Sequence, residues 1–397
     1  MARSNLRSRV LALGLALGLA GCVGSGSLTP PGSIEAEAPA PAAPMLTGSA
    51  IGSGQVRVAL ILPLSGAGQS AVVAQSLRNA AELAMDEFEN PDLALLVKDD
   101  RGTAEGAREA AQAALAEGAE LFIGPLFAPA VRAVGEVARP AGRPVVAFST
   151  DVSVASRGVY LLSFLAQAEV DRVLAYAAQQ GRRSVAALIP QSTYGGVVEA
   201  QFTDAAARHG LRVAAIERYP VGQPQAAVQR LGPVIGGAQP QADAIFIPDN
   251  ADGLPAVAAA LQAASYNPQR VKPLGTGVWN EARAFALPAL QGGWFAAPDS
   301  RGFAAFAARY RARFGTDPTR LATLSYDAVS LAAALVKTQG PGRFTEAVLT
   351  NPSGFAGADG VFRFRPEGTS DRALTVQEIR NNAAVTVNAA PRALAGL

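Results

Sequence analysis

The sequence predicts an α/β protein of two doubly wound parallel-sheet lobes with a ligand cleft between them, preceded by an export signal and a flexible tether. Three observations lead there. From Gln55 onward, short β-branched runs alternate with long alanine-rich amphipathic stretches, the pattern that yields parallel sheets with helices on both faces. The alternation runs twice, before and after about Phe164. Roughly 340 residues follow the tether, too many for one hydrophobic core and comfortable for two.

The amino-terminal segment decides the compartment. Arg3, Arg7 and Arg9 give a positive start, and Val10 to Ala20 is an apolar run of signal-peptide length, too short to span a bilayer. It ends in Leu19-Ala20-Gly21-Cys22, small residues before a cysteine, as a lipoprotein signal peptidase requires. Residues 1–21 therefore read as a lipoprotein signal peptide and Cys22 as the acylated start of the mature chain. Cys22 is the only cysteine in the sequence, so no intramolecular disulfide can form in an oxidising compartment. Several acyl chains anchor firmly where one does not. The next residue is Val23 and not aspartate, which favours the outer membrane over the inner. Residues 22–54 are Pro, Ala, Gly and Ser with scarcely a large apolar side chain. Such a stretch cannot bury enough surface to offset chain entropy and reads as a lipidated flexible linker on the periplasmic face of the envelope.

Composition removes several function classes. The formal net charge is +2 with the signs interspersed, so no basic stripe points to nucleic acid. With one cysteine and one histidine, His209, neither a histidine metal site nor a Ser-His-Asp triad can be assembled. His209 sits before Gly210 at a helix end, the place of a solvated carboxyl-terminal residue. No catalytic residue, metal ligand or cofactor is expected. Gly66-x-Gly68-x-x-Ala71 has the outline of a dinucleotide fingerprint. However, Pro63 to Ser65 separate it from its strand, and the next acidic strand end, Asp99, lies farther on than the fingerprint's roughly twenty residues. It reads as a cleft-edge loop.

The elements then follow in order. Strands are expected at Val56–Leu62, Leu93–Lys98, Leu121–Ile123 and Pro144–Phe148, then at Ser184–Ile189, Arg212–Tyr219, Ala242–Ile247 and Val271–Gly275. Helices are expected at Ala71–Phe88, Thr103–Glu117 and Val131–Ala138, then at Ala168–Gln179, Gly195–His209, Gln225–Ile235 and Leu254–Ser265. Gly118, Gly181 and Gly210 stand where helices stop. The last third breaks the rhythm. Gly292–Ala297 reads as a strand, Gly302–Phe314 and Arg320–Lys337 as helices. Val361–Arg365 and Leu374–Arg380 read as an edge hairpin around Pro366-Glu367-Gly368, since Arg363 and Arg365 alternate with Phe362 and Phe364. The first lobe is expected over 55–165 plus about 276–340 and the second over 166–275 plus about 341–385. Hinges are expected near Leu161–Phe164, Pro273–Gly277 and Gly340–Gly342.

In doubly wound sheets ligands bind outside the carboxyl ends of the strands. Ser65, Ser149 and Thr150 lie at such ends, where hydroxyls either hold an anionic group or cap helices. Tyr194 opens a helix at the edge of the second lobe, to stack on a ligand or to pack. Trp279 and Trp294 read as core or lobe-contact residues. Glu82, Asp86, Glu87 and Glu89 read as the wet side of one helix, or as a face for a basic partner.

Several short motifs stand in order: Val58-Ala59-Leu60-Ile61-Leu62-Pro63-Leu64-Ser65-Gly66, Ala84-Met85-Asp86-Glu87-Phe88, Asp99-Asp100, Phe122-Ile123-Gly124-Pro125, Tyr194-Gly195 and Tyr326-Asp327-Ala328. Together, over Val56 to Arg380, the chain resembles the type I periplasmic binding proteins of the leucine/isoleucine/valine-binding branch. Gly293-Trp294-Phe295-Ala296-Ala297-Pro298 and Gly360-Val361-Phe362-Arg363-Phe364, with the lipidated tether, look like the lipoprotein offshoot of LpoA-type penicillin-binding-protein activators. That resemblance implies a non-catalytic regulator of peptidoglycan synthesis whose partner is a penicillin-binding protein. The alternative is the substrate-binding protein of an ABC transporter for branched-chain or other amino acids, with an amino-acid-like ligand and an ABC permease as partners.

In the family's amino-acid binders a serine after the Ile-Gly segment and an Ala-Thr pair after the next strand hold the carboxylate, and a glutamate holds the ammonium. Here the first region, Pro125-Leu126-Phe127-Ala128-Pro129-Ala130, has no hydroxyl, while Phe148-Ser149-Thr150-Asp151 keeps two. Gly275-Thr276-Gly277-Val278 carries no acid, and Asp249, at another strand end, is the substitute available. The expected cleft residues are Ser65, Phe127, Ser149, Thr150, Tyr194, Asp249 and Thr276. An acidic side chain facing the cleft where an ammonium would sit decides between the two readings.

Overall fold

A computed structural model describes residues 49–89 and 91–394. Cys22, the signal peptide and all but the end of the tether lie outside the described residues. The first sheet is built on aliphatic segments buried on both faces, as strands covered by helices on either side must be. Its elements are β1 (Ala50–Ile51), β2 (Val56–Leu62), α1 (Gln69–Glu87), β3 (Leu93–Asp99), α2 (Ala104–Ala116), β4 (Leu121–Ile123), α3 (Ala128–Ala138), β5 (Val145–Ala147) and β6 (Val159–Leu161). The strand order is β1-β3-β2-β4-β5-β6. All neighbours are parallel except the edge pair β1–β3.

The rhythm repeats in α4 (Ala166–Gln179), β7 (Ser184–Pro190), α5 (Thr193–Arg208), β8 (Arg212–Tyr219), α6 (Gln225–Ile235), β9 (Ala244–Phe246), α7 (Leu254–Ala263), β10 (Lys272–Gly275), α8 (Ala282–Phe285) and β11 (Trp294–Ala297). The chain then returns to the first lobe with α9 (Ser300–Phe314), α10 (Ala322–Gln339), α11 (Glu346–Leu349), β12 (Phe355–Gly357), β13 (Gly360–Phe364) and β14 (Ser370–Arg372). It finishes in the second with β15 (Thr375–Arg380) and β16 (Ala383–Asn388). The second sheet runs β16-β15-β11-β10-β9-β7-β8, with β15 and β16 antiparallel additions to a parallel set. Thr103 and Ser192 cap α2 and α5, each hydroxyl accepting a helix N–H at 3.0 Å. Gly118, Gly181 and Gly210 follow helices at φ of +87°, +82° and +67°, the left-handed stop that glycine makes without strain.

The lobe boundaries differ from the sequence expectation. Residues 276–297 belong to the second lobe, because β11 pairs with β10 and β15. Residues 341–372 belong to the first, because Phe362 and Phe364 of β13 are buried in the core that contains β2, β3 and α10. The crossovers between lobes are therefore 162–165, 298–299 and 373–374. Of the expected hinge segments, Leu161–Phe164 overlaps the first crossover, whereas Pro273–Gly277 is a strand end within one lobe and Gly340–Gly342 a turn after α10. The expected hairpin is also reassigned. Strand β13 pairs with β12 and with the short β14, while β15 crosses to the other sheet. Arg363 and Arg365 share one side of the end of β13 and are both bonded to Asp371, but of the two only Arg365 is exposed. The acids of α1 meet a basic partner in the chain itself: Arg313 of α9 reaches Glu82 and Asp86 at 2.9 Å each, and Arg309 reaches Glu87 at 2.8 Å. These pairs are half-exposed and add little to stability.

Candidate functional site

Loops at the carboxyl ends of both sheets meet around two hollows that share Thr150. The first, about 510 Å3, belongs to the first lobe and is mostly apolar. Val73 of α1, Leu126, Phe127 and Leu321 form its wall, with Ser149, Thr150 and Asp151 at one side. Phe127 is the residue on which α3 starts, with Pro129 set in the first turn. It is 38% exposed, uncommon for an aromatic ring unless something covers it.

The second hollow, about 410 Å3, lies between the lobes. Thr150 and Arg320 face it from the first lobe, Phe164 from the crossover, and Glu169, Tyr194, Gly277, Val278, Asn280 and Glu281 from the second. Glu169 stands in the first turn of α4, 8% exposed. Its Oε2 accepts the Gly277 N–H at 2.9 Å. A Cβ on Gly277 would lie 2.7 Å from Oε1, so the bare glycine is what lets the carboxylate reach this point. Burial raises the Glu169 carboxyl to about 7, opposed by that hydrogen bond and by Arg320. Tyr194 shares a 2.7 Å hydrogen bond with the buried Thr276 hydroxyl, and burial pushes its phenol above the ordinary range.

Arg320 is bound on its far side. It forks onto the wholly buried Asp359 at 2.8 and 2.9 Å, and its guanidinium lies 4.4 Å from the Phe164 ring centre and 4.8 Å from that of Phe303. Arg372 stacks on the Phe164 ring as well, at 5.1 Å. Phe164, on the first crossover, thus has two arginines against its ring.

Of the expected residues, Phe127 and Ser149 line the first hollow, Tyr194 the second and Thr150 both, while Thr276 stands behind Tyr194. Two expectations are corrected. Ser65 is exposed, gives its backbone N–H to Asp99 at 3.2 Å and lines neither hollow. Asp249 is buried, accepts the Tyr219 hydroxyl at 2.5 Å and closes the end of β8 against the loop after β9. It serves the second lobe's packing and not the cleft. Glu169 and Arg320 were not anticipated. An acid in the first turn of a helix satisfies the helix dipole wherever it points, and only its place in the first helix after the crossover could have marked it.

Three buried carboxyls set the pH response of the fold. Burial raises Glu169 and Asp327 to about 7 and Asp100 to about 6. Each holds its proton more tightly folded than unfolded, so stability falls as pH rises from about 4 to about 7, and the penalty is complete above that. Asp99, Asp171 and Glu378, whose carboxyls are held below their ordinary values, act oppositely at lower pH. Urea midpoints are expected to be higher near pH 5 than near pH 7.5, and Asp327→Asn should flatten the slope. A midpoint that rises with pH across this window would refute the assignment.

A family model described as periplasmic binding protein matches residues 55–384. No curated protein matches the chain significantly. Among solved structures, a Rhodospirillum rubrum protein assigned as a branched-chain amino acid ABC transporter shares 21% identity, covers 84% of this chain and 99% of its own, and superposes with a TM-score of 0.74. A leucine binding protein from Thermotoga maritima shares 20% identity over 83% and 97% of the two chains, with a TM-score of 0.57. An ABC transporter substrate-binding protein from Desulfitobacterium hafniense in complex with Leu shares 19% identity over 84% and 99%, with a TM-score of 0.59. At identities this low, the superpositions show a shared fold alone.

Proposed function

The chain belongs to the periplasmic binding protein family, and from that premise we propose that it is the solute-binding component of an ABC importer for a small amine-bearing solute of the amino-acid kind. It is a periplasmic binding protein and not an enzyme. The observation that carries the proposal is the Glu169 carboxylate in the interlobe hollow, seated on the Gly277 N–H near Tyr194. A buried carboxylate with only a backbone partner is costly until a cation joins it, and a ligand ammonium is the cation an amine-bearing solute brings. The solved relative carrying leucine supports the same class.

The sequence's leading expectation, a contact regulator acting on a penicillin-binding protein, rested on the segments Gly293–Pro298 and Gly360–Phe364 with the lipidated tether, and on the want of an acid in the cleft. With Glu169 there, the alternative is the better supported reading. Anchoring through Cys22 remains part of the proposal, the tether leaving the lobes free to open, close and reach a permease.

The test is thermal melting of the purified mature protein against a panel of amino acids and amines at millimolar concentration. A solute bound with micromolar affinity is then about a thousandfold above its dissociation constant and should add about 4 kcal/mol of stability. A panel without any shift would sink the importer reading and send the search back to protein partners.

A further inference from the structure

The charge around the cleft is one-sided. The carboxyls lining the two hollows are Asp151, Glu169 and Glu281, against the single guanidinium of Arg320. That guanidinium is already forked onto buried Asp359 and clasped between Phe164 and Phe303, so its charge is answered before a ligand arrives. Glu281 has only exposed Arg283, at 3.3 Å. Among the described residues no ion pair reaches Glu169, whose carboxylate is nine-tenths buried and accepts one backbone N–H.

Of the hydroxyls lining the hollows, those of Ser70 and Ser163 donate to the Ala67 and Phe148 carbonyls, and that of Tyr194 is paired with Thr276. The pair left to receive a carboxylate is spoiled by its neighbour. Ser149 and Thr150 stand directly before Asp151, and the Asp151 N–H, which might have served an anion, is given to Ser149 Oγ at 3.1 Å. The Asp151 carboxyl, bonded to the Ser153 N–H at 2.9 Å, is held below its ordinary value and stays ionised beside any anion placed there. Like charges at such separation disfavour each other. The apolar side of the first hollow, Val73, Leu126, Phe127 and Leu321, offers contact to an apolar body.

We propose that this cleft selects solutes of net positive charge: a protonated amine on an apolar body, with no carboxylate needed beside it. The amine sits at Glu169 and the body lies past Thr150 along the Phe127 wall. Gly277 is the positioning residue for the acid, since any side chain there would displace the carboxylate. This rests on the solute-binding reading and narrows it from amino acids to their cationic relatives.

Calorimetric titration of the mature protein with four probes on one carbon skeleton tests it: leucine, leucinamide, isopentylamine and isocaproate. The expected result is binding of leucinamide and isopentylamine at least tenfold tighter than leucine, with no heat from isocaproate. Glu169→Gln and Gly277→Ala should each weaken the amines at least tenfold while circular dichroism and ligand-free melting show a folded protein. Gly277→Ala makes the displacement without removing the charge. Leucine binding as tightly as its amide, or tighter, would overturn the charge selection and leave the solute-binding reading standing. An undiminished amine affinity in Glu169→Gln would also overturn it. Silence from all four probes would overturn both.

Discussion

Arg320→Ala is expected to destabilise the fold by about 3 kcal/mol, the low end of the loss when one partner of a buried ion pair is removed, because Asp359 is wholly buried while the Arg320 side chain is 39% exposed. Asp359 is 0% exposed and receives both arms of the Arg320 guanidinium, together with a hydrogen bond from the Thr323 hydroxyl. Without Arg320 its charge has no cation, and the cost is that of an uncompensated buried carboxylate. The aromatic contacts to Phe164 and Phe303 go as well. Equilibrium urea unfolding measures the loss. Pairing the change with Asp359→Ala should restore part of it, because the double variant no longer buries a lone charge. A loss below about 1 kcal/mol would mean the pair is solvated and behaves like a surface bridge.

Trp279→Ala should cost a similar amount, about 3–5 kcal/mol, for a large aromatic side chain removed from a core. Trp279 is 0% exposed, and its indole N–H donates to the Ile247 carbonyl at 3.0 Å. The ring fills the space above Gly275, where a Cβ would come within 2.2 Å of it. The effect should extend to the cleft. Trp279 ends the short turn that presents Gly277 to Glu169, and a cavity beneath that turn lets it sink. Trp279→Phe, which keeps most of the apolar volume and loses the hydrogen bond, should sit between wild type and alanine in stability. Ligand affinity falling in the same order would tie the packing to the site. Equal affinities across the three would show that the turn holds its position without the indole.

Much of the fold was legible because its signals are local. The β2 run Val56–Leu62 is aliphatic at nearly every position, and the helices end at glycines that take positive φ. What failed was allegiance. Nothing local to Trp294–Ala297 says that this strand joins the second sheet, and nothing local to Phe362 and Phe364 says that they fill the first core. A chain that crosses between lobes three times settles such questions by which surfaces are left to cover. At the site, Phe127, Ser149, Thr150 and Tyr194 line the hollows because strand ends and helix starts lie along the cleft edge. Asp249 was chosen by the same rule and turned to Tyr219 instead, because a strand-end side chain can point along the sheet as well as out of it.

The sequence by itself determined the two-lobed α/β class and most of its strands and helices. These follow from composition, periodicity and caps, each readable within a few residues. The tertiary structure alone decided which acid lines the interlobe hollow. Glu169 and Gly277 are 108 residues apart, and their meeting depends on a missing Cβ on one lobe's turn and the rotation of the first helix after a crossover. It likewise decided that Arg320 serves Asp359, 39 residues away, before it can serve a ligand. Charge balance in a cleft is a sum over side chains that packing brings together.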